Sequence, residues 1–77
     1  MNNPQIIKLK CYLSISLPKT TRMLSLYDVT ILGTRFSTIT IKTSLHENDI
    51  NSMLNYLNSN GCDVTLKSRR RLLFGRW

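Results

Sequence analysis

Most of the chemistry open to this chain belongs to its cations. Lys67-Ser68-Arg69-Arg70-Arg71 packs four of them into five residues, and Lys8, Lys10 and Lys42 add more at strand spacing. Ammonium groups neutralise phosphate, and planar guanidinium forks clasp it through two parallel hydrogen bonds. The rest of the reactive inventory is thin: one His, four Asp plus Glu and two Cys. There is no glycine-rich phosphate loop. Catalysis requires perturbable groups that converge in one pocket, so no catalytic residue is assigned and no enzyme is expected. His46, Glu47 and Asp49 open an expected helix, where solvation, capping and compensation of the helix dipole account for them. Cys11 and Cys62 are inward strand positions expected to be buried free thiols, their spacing matches no zinc motif, and neither metal nor cofactor is expected.

Over the whole chain, 77 residues with eleven Lys plus Arg against four Asp plus Glu give a net charge of +7. A chain this short buries only about 60% of the surface its unfolded form exposes, enough for one sheet and its helical cover. No apolar run reaches the roughly 18 residues of a membrane span. The start, Met-Asn-Asn-Pro-Gln, lacks the basic-then-apolar layout of a signal peptide, so a cytoplasmic protein is expected. The positive field restricts partners to nucleic acid, anionic lipid or an acidic protein face. Alanine is absent while Asn, Ile, Ser and Thr abound, a bias associated with AT-rich genomes such as many phages have.

The elements that must position these cations follow from periodicity. Residues 7 to 17 alternate without a break, Ile7, Leu9, Cys11, Leu13, Ile15 and Leu17 against Lys8, Lys10, Tyr12, Ser14 and Ser16, which predicts a half-buried strand. Pro18 ends it, and Pro18-Lys19-Thr20-Thr21-Arg22 reads as a loop. A second strand starts near Met23, with a bulge near Tyr27-Asp28 reconciling its two phases. Gly33-Thr34 turns it into a third, β-branched strand running to Thr43. Ser44-Leu45-His46-Glu47 has the form of a capping box. Ile50, Met53, Leu54 and Leu57 repeat at helical spacing, and Asn60-Gly61 ends the helix. A fourth strand begins at Cys62. The expectation is therefore an α+β domain over residues 1–69, a four-stranded antiparallel sheet in the order β-β-β-α-β with one helix on one face, followed by a basic, apolar tail over 70–77.

One helix covers only one face of such a sheet. The alternation puts Lys8, Lys10, Tyr12, Phe36, Lys42, Lys67 and Arg69, with Thr38, Thr40 and Thr65, on the other. Aromatic faces stack bases while Lys and Arg neutralise phosphates, so these residues together with Arg70 and Arg71 form the candidate nucleic-acid surface. The plainer account is that Lys and Thr solubilise an exposed sheet.

The tail offers a second candidate site, partner docking through Arg70, Leu72, Leu73, Phe74 and Trp77. Arg70-Arg71-Leu72-Leu73-Phe74 resembles the short Arg-x-Leu-x-Phe peptides that dock on cyclins, and its Leu-Leu-Phe is similar to peptides that bind sliding clamps. The resemblance covers five residues and implies no family. The same side chains would otherwise complete the small core, or let Phe74 and Trp77 enter a membrane interface beside the arginines. The leading expectation is a small non-enzymatic protein that contacts nucleic acid or a nucleic-acid-processing complex. The alternatives are a phage- or virus-like regulator that inhibits a host protein by docking its tail or an edge strand, and a homo-oligomer joined through the open face.

Overall fold

The computed structural model describes residues 4–12 and 17–71. Its elements are β1 (Gln5–Cys11), α1 (Leu17–Leu24), β2 (Val29–Arg35), β3 (Thr38–Thr43), α2 (Glu47–Ser59) and β4 (Val64–Arg71). The four strands form one antiparallel sheet in the spatial order β2-β3-β1-β4. Because β3 lies antiparallel between β1 and β2, and β1 antiparallel between β3 and β4, the chain consists of two interleaved β-α-β units. This connectivity is called split, or ferredoxin-like.

The α+β class and the antiparallel sheet are as expected, but the described residues form two helices rather than one. α1 occupies the stretch expected to be the Pro18–Arg22 loop and the start of strand two. Pro18 is the second residue of α1, in the first turn, where a missing amide proton breaks no intrahelical bond. Leu17, Thr20 and Leu24 stand at i, i+3 and i+7, and both Thr20 and Leu24 are fully buried. A threonine in the middle of that stripe is what conceals the helix from a reading based on apolar residues. The alternating pattern forms strand only through Cys11; Leu13 and Ile15 lie outside the described residues.

β2 accordingly starts at Val29, and its irregularity falls at Leu32 rather than at Tyr27-Asp28, since Ile31 pairs with Ile41 and Gly33 with Thr40. The hairpin to β3 turns at Phe36-Ser37, between the paired Arg35 and Thr38, and not at Gly33-Thr34. Phe36 takes φ 57° there. Left-handed backbone costs a residue bearing a Cβ about 1–2 kcal/mol, and glycine is the usual occupant.

α2 buries Ile50, Met53 and Leu57, the stripe its spacing predicts, with Leu54 half-buried beside it. Its cap differs from the expected box: the N-cap is His46, in extended conformation and without a side-chain cap bond. Glu47 turns instead to Arg69 of β4, 3.2 Å away. Thr43 joins the segments, its hydroxyl donating to the Asp28 carbonyl at 2.9 Å and accepting from the Leu45 amide at 3.1 Å. At the far end Gly61 adopts φ 82°. Asn58 grips the start of β4 like a short strand, accepting from the Val64 amide at 2.7 Å and donating to the Val64 carbonyl at 2.9 Å.

Both helices lie on one face. Leu24 from α1 and Ile50, Met53 and Leu57 from α2 form a single cluster with Ile7, Leu9, Cys11, Ile39, Ile41, Cys62 and Val64. Tyr27, after α1, meets Tyr56 of α2 edge to face with centroids 6.4 Å apart.

Thr21→Pro discriminates the helix from a loop. In the interior of α1 a proline breaks a backbone bond and clashes one turn back, for an expected loss of about 3 kcal/mol, whereas a loop would accept it; urea unfolding measures the difference. Thr43→Val preserves shape but orphans the Leu45 amide, for an expected loss of about 1–3 kcal/mol. In a chain this small that corresponds to roughly 4–8 °C of melting temperature per kcal/mol, read in a thermal melt.

Candidate nucleic-acid interface

Sheet register determines which cations share a face. Ile7 and Leu9 are buried opposite Ile41 and Ile39, so their neighbours Ile6, Lys8 and Lys10 stand on the face without helices. Lys42, Thr40 and Thr38 of β3 pair with these three and join them. The face then reads in rows across β2, β3, β1 and β4: Thr30, Lys42, Ile6, Arg70; then Gly33, Thr40, Lys8, Ser68; then Arg35, Thr38, Lys10, Thr65. Strands stand about 4.8 Å apart and alternate residues about 7 Å apart along a strand. Lys8, Lys10, Lys42, Arg35 and Arg70 thus form a two-dimensional lattice of positive charge interleaved with hydroxyls.

β4 contains the decisive irregularity. Leu9 pairs with Leu66 but Lys8 with Ser68, leaving Lys67 as an inserted, exposed residue. The bulge reverses the phase of everything after it. Arg69 therefore pairs with Ile7 and belongs to the helix-covered side, where it meets Glu47. This corrects the expectation that Arg69 shares the open face. Arg70, paired with Ile6, takes its place. Arg70 and Arg71 are also part of β4 rather than of a tail; Arg71 closes the strand opposite Gln5. Leu72, Leu73, Phe74 and Trp77 lie outside the described residues.

The two rings expected on the open face both stand at one end of the sheet. Tyr12 follows the last residue of β1, is 59% exposed, and its hydroxyl lies 3.4 Å from that of Thr65. Phe36 occupies the tip of the β2-β3 hairpin rather than a position within β3, and at 86% it is the most exposed large apolar side chain among the described residues. The Cys11 amide donates to the Ser37 carbonyl at 2.7 Å, which brings the end of β1 against the tip. The Arg35 guanidinium carbon lies 5.6 Å from the centre of the Phe36 ring, within cation–π range. Phe-Ser carries no turn signal, and with the turn at Gly33-Thr34 alternation along the third strand puts Arg35 on the side of Ile39 and Ile41, away from the open face.

All four carboxylates stand off the lattice. Asp28 precedes β2, Asp63 precedes β4, and Glu47 and Asp49 occupy the first turn of α2. Asp28 borders a shallow depression with Thr30, Lys42 and Thr43 at the end of the sheet opposite the rings. Among the described residues no three His, Cys, Asp or Glu side chains gather as a metal site would require, and no helix is long and apolar enough to cross a membrane. Cys11 and Cys62 are buried and not joined in a disulfide: Cys11 Sγ lies 3.5 Å from the Cys62 carbonyl, and Cys62 Sγ lies 3.7 Å from Met23 Sδ.

Comparison with known proteins finds no matching family model and no significant match among curated proteins or solved structures.

Burial of both thiols has a direct consequence. Neither should react with a disulfide reagent in the native protein except through opening of the core, and both should react at once in denaturant. Cys62 precedes β4, which starts at Val64 rather than at Cys62 as expected, and a fast native phase would show that β1 or the segment before β4 opens readily.

Proposed function

We propose that this chain is a small, non-enzymatic, cytoplasmic protein that binds single-stranded nucleic acid along its open sheet face. The observation that supports the reading best is the lattice of Lys8, Lys10, Arg35, Lys42 and Arg70 on a face whose register positions include no carboxylate. A helix-free sheet solubilised merely by polar residues would mix both signs of charge, because opposite charges across strands stabilise a sheet and like charges weaken it. Here like charges accumulate, which favours a polyanionic ligand. The central positions are Lys and Thr rather than rings, so the phosphates supply most of the affinity and sequence discrimination is weak.

The competing readings have less support. Docking through an edge strand is opposed by the bulges in β2 and β4, the two edges of the sheet, since bulges are a common device against edge pairing. Self-association through the open face would bring two cationic lattices together. A regulatory role that inhibits a host protein through residues 70–77 remains the alternative proposal, and an acidic protein surface is its natural target.

The test is fluorescence anisotropy of a labelled oligonucleotide against salt. Each neutralised phosphate on a single strand contributes about −0.7 to the slope of log K against log salt, so the expected slope is several units. Lys8→Ala and Arg70→Ala should each reduce it, while Arg69→Ala, on the helix-covered side beside Glu47, should leave it unchanged. An affinity independent of salt, or equal losses from Arg69 and Arg70, would rule the surface out.

A further inference from the structure

Phe36 combines three features. It is a bulky aromatic held at φ 57°, it is 86% exposed at a hairpin tip, and it lies beside the guanidinium of Arg35, a member of the cationic lattice. The two-residue hairpin accounts for the left-handed backbone, but nothing in the fold calls for a bulky, exposed aromatic at that position. Glycine would relieve the backbone at that position, and a ring this exposed contributes almost nothing to the core. Strained backbone that packing does not require is characteristic of places where a side chain is held out for a ligand.

Its surroundings restrict the ligand. Arg35 and Lys10 stand in the same row of the sheet, Tyr12 follows β1 at the same end, and the Cys11 amide bond to Ser37 ties that end to the tip. Two rings and two cations therefore stand at one end of the lattice, while at the opposite end the described residues of the face, Thr30, Lys42, Ile6 and Arg70, include cations and no ring. The face is polar in the sense of having two chemically different ends.

We propose that Phe36 is a base-stacking residue: the hairpin tip holds its ring in strained backbone so that one unpaired base of a bound single strand stacks on it, with Arg35 on the neighbouring phosphate, while the rest of the face contacts phosphates alone. This rests on the reading of the face as a nucleic-acid surface, and it adds a ligand atom set, an end and a residue to it. An aromatic stack of this kind contributes roughly 5- to 150-fold in affinity and accepts any base.

The experiment compares two labelled probes of equal length, an oligothymidylate and an abasic strand that keeps the phosphates and lacks the bases. The native protein should prefer the oligothymidylate by a factor in that range. Phe36→Gly and Phe36→Leu should each abolish the preference while leaving affinity for the abasic strand unchanged, and Phe36→Trp should restore it. The melting temperature of Phe36→Gly should be equal to or above that of the native chain, which separates loss of a ligand contact from loss of fold. Equal binding of the two probes by the native protein would overturn the stacking role and leave the phosphate surface standing. Retention of the preference in Phe36→Leu would overturn it as well. Failure of both probes to bind would overturn the stacking role and the nucleic-acid reading together.

Discussion

β1 is bonded along both edges and buried on one side, and every other element takes its position from that strand. Its antiparallel pairing with β3 and β4 places it in the interior of the sheet, and Ile7, Leu9 and Cys11 are fully shielded beneath the two helices. With successive side chains on opposite faces, burying those three forces Lys8 and Lys10 to the other side. Placing a lysine among the helices would mean burying an unpaired charge, which a chain this small has no energy to tolerate. The same hydrophobic demand that builds the core therefore builds the cationic face.

The bulge at Lys67 then sorts the arginines. Without it Arg69 would stand beside Lys8 and Lys10, and Arg70 would turn toward the helices. With it Arg69 reaches Glu47 and becomes a tie between β4 and α2, while Arg70 joins the lattice. A largely solvated pair of this kind contributes little stability, so its importance is geometric: it holds Arg69 and the Glu47 carboxylate together on the helix-covered side. Because bulges also discourage edge pairing, one inserted residue both shapes the surface and protects the edge that carries it.

Under the proposed reading, charge and rings divide the open face by function. Phosphate contacts depend on a field that extends over many ångströms and tolerate imprecise placement, whereas stacking requires a ring held at one orientation. The lattice of lysines and arginines on β-strands suits the first, and a tight hairpin tip suits the second. That Tyr12 and Phe36 gather at one end, beside Arg35 and Lys10, follows from the two-residue turn at Phe36-Ser37 and the bond from Cys11 to Ser37.

The sequence by itself determined the local patterns: the alternation of β1 through Cys11, the inward set Ile39 and Ile41, the stripe Ile50, Met53 and Leu57, and the outward cations Lys8, Lys10 and Lys42, because periods of two and of 3.6 are written directly in the order of polar and apolar residues. Tertiary structure decided what those patterns leave open. α1 is a helix because Thr20 is buried against the sheet, and its polar side chain conceals the stripe in which it stands. The helix cap lies at His46 rather than Ser44, and the Glu47 carboxylate that a capping box would have used is paired with Arg69 instead. The hairpin closes at Phe36-Ser37 because Ile31 pairs with Ile41 and Arg35 with Thr38, which half-buries Val29 and Ile31 and leaves two residues for the turn. Register and bulges are relations between strands distant in sequence, and a single inserted residue reverses the face of every side chain beyond it, which is why the assignment of Arg35, Arg69 and Arg70 belonged to the fold alone.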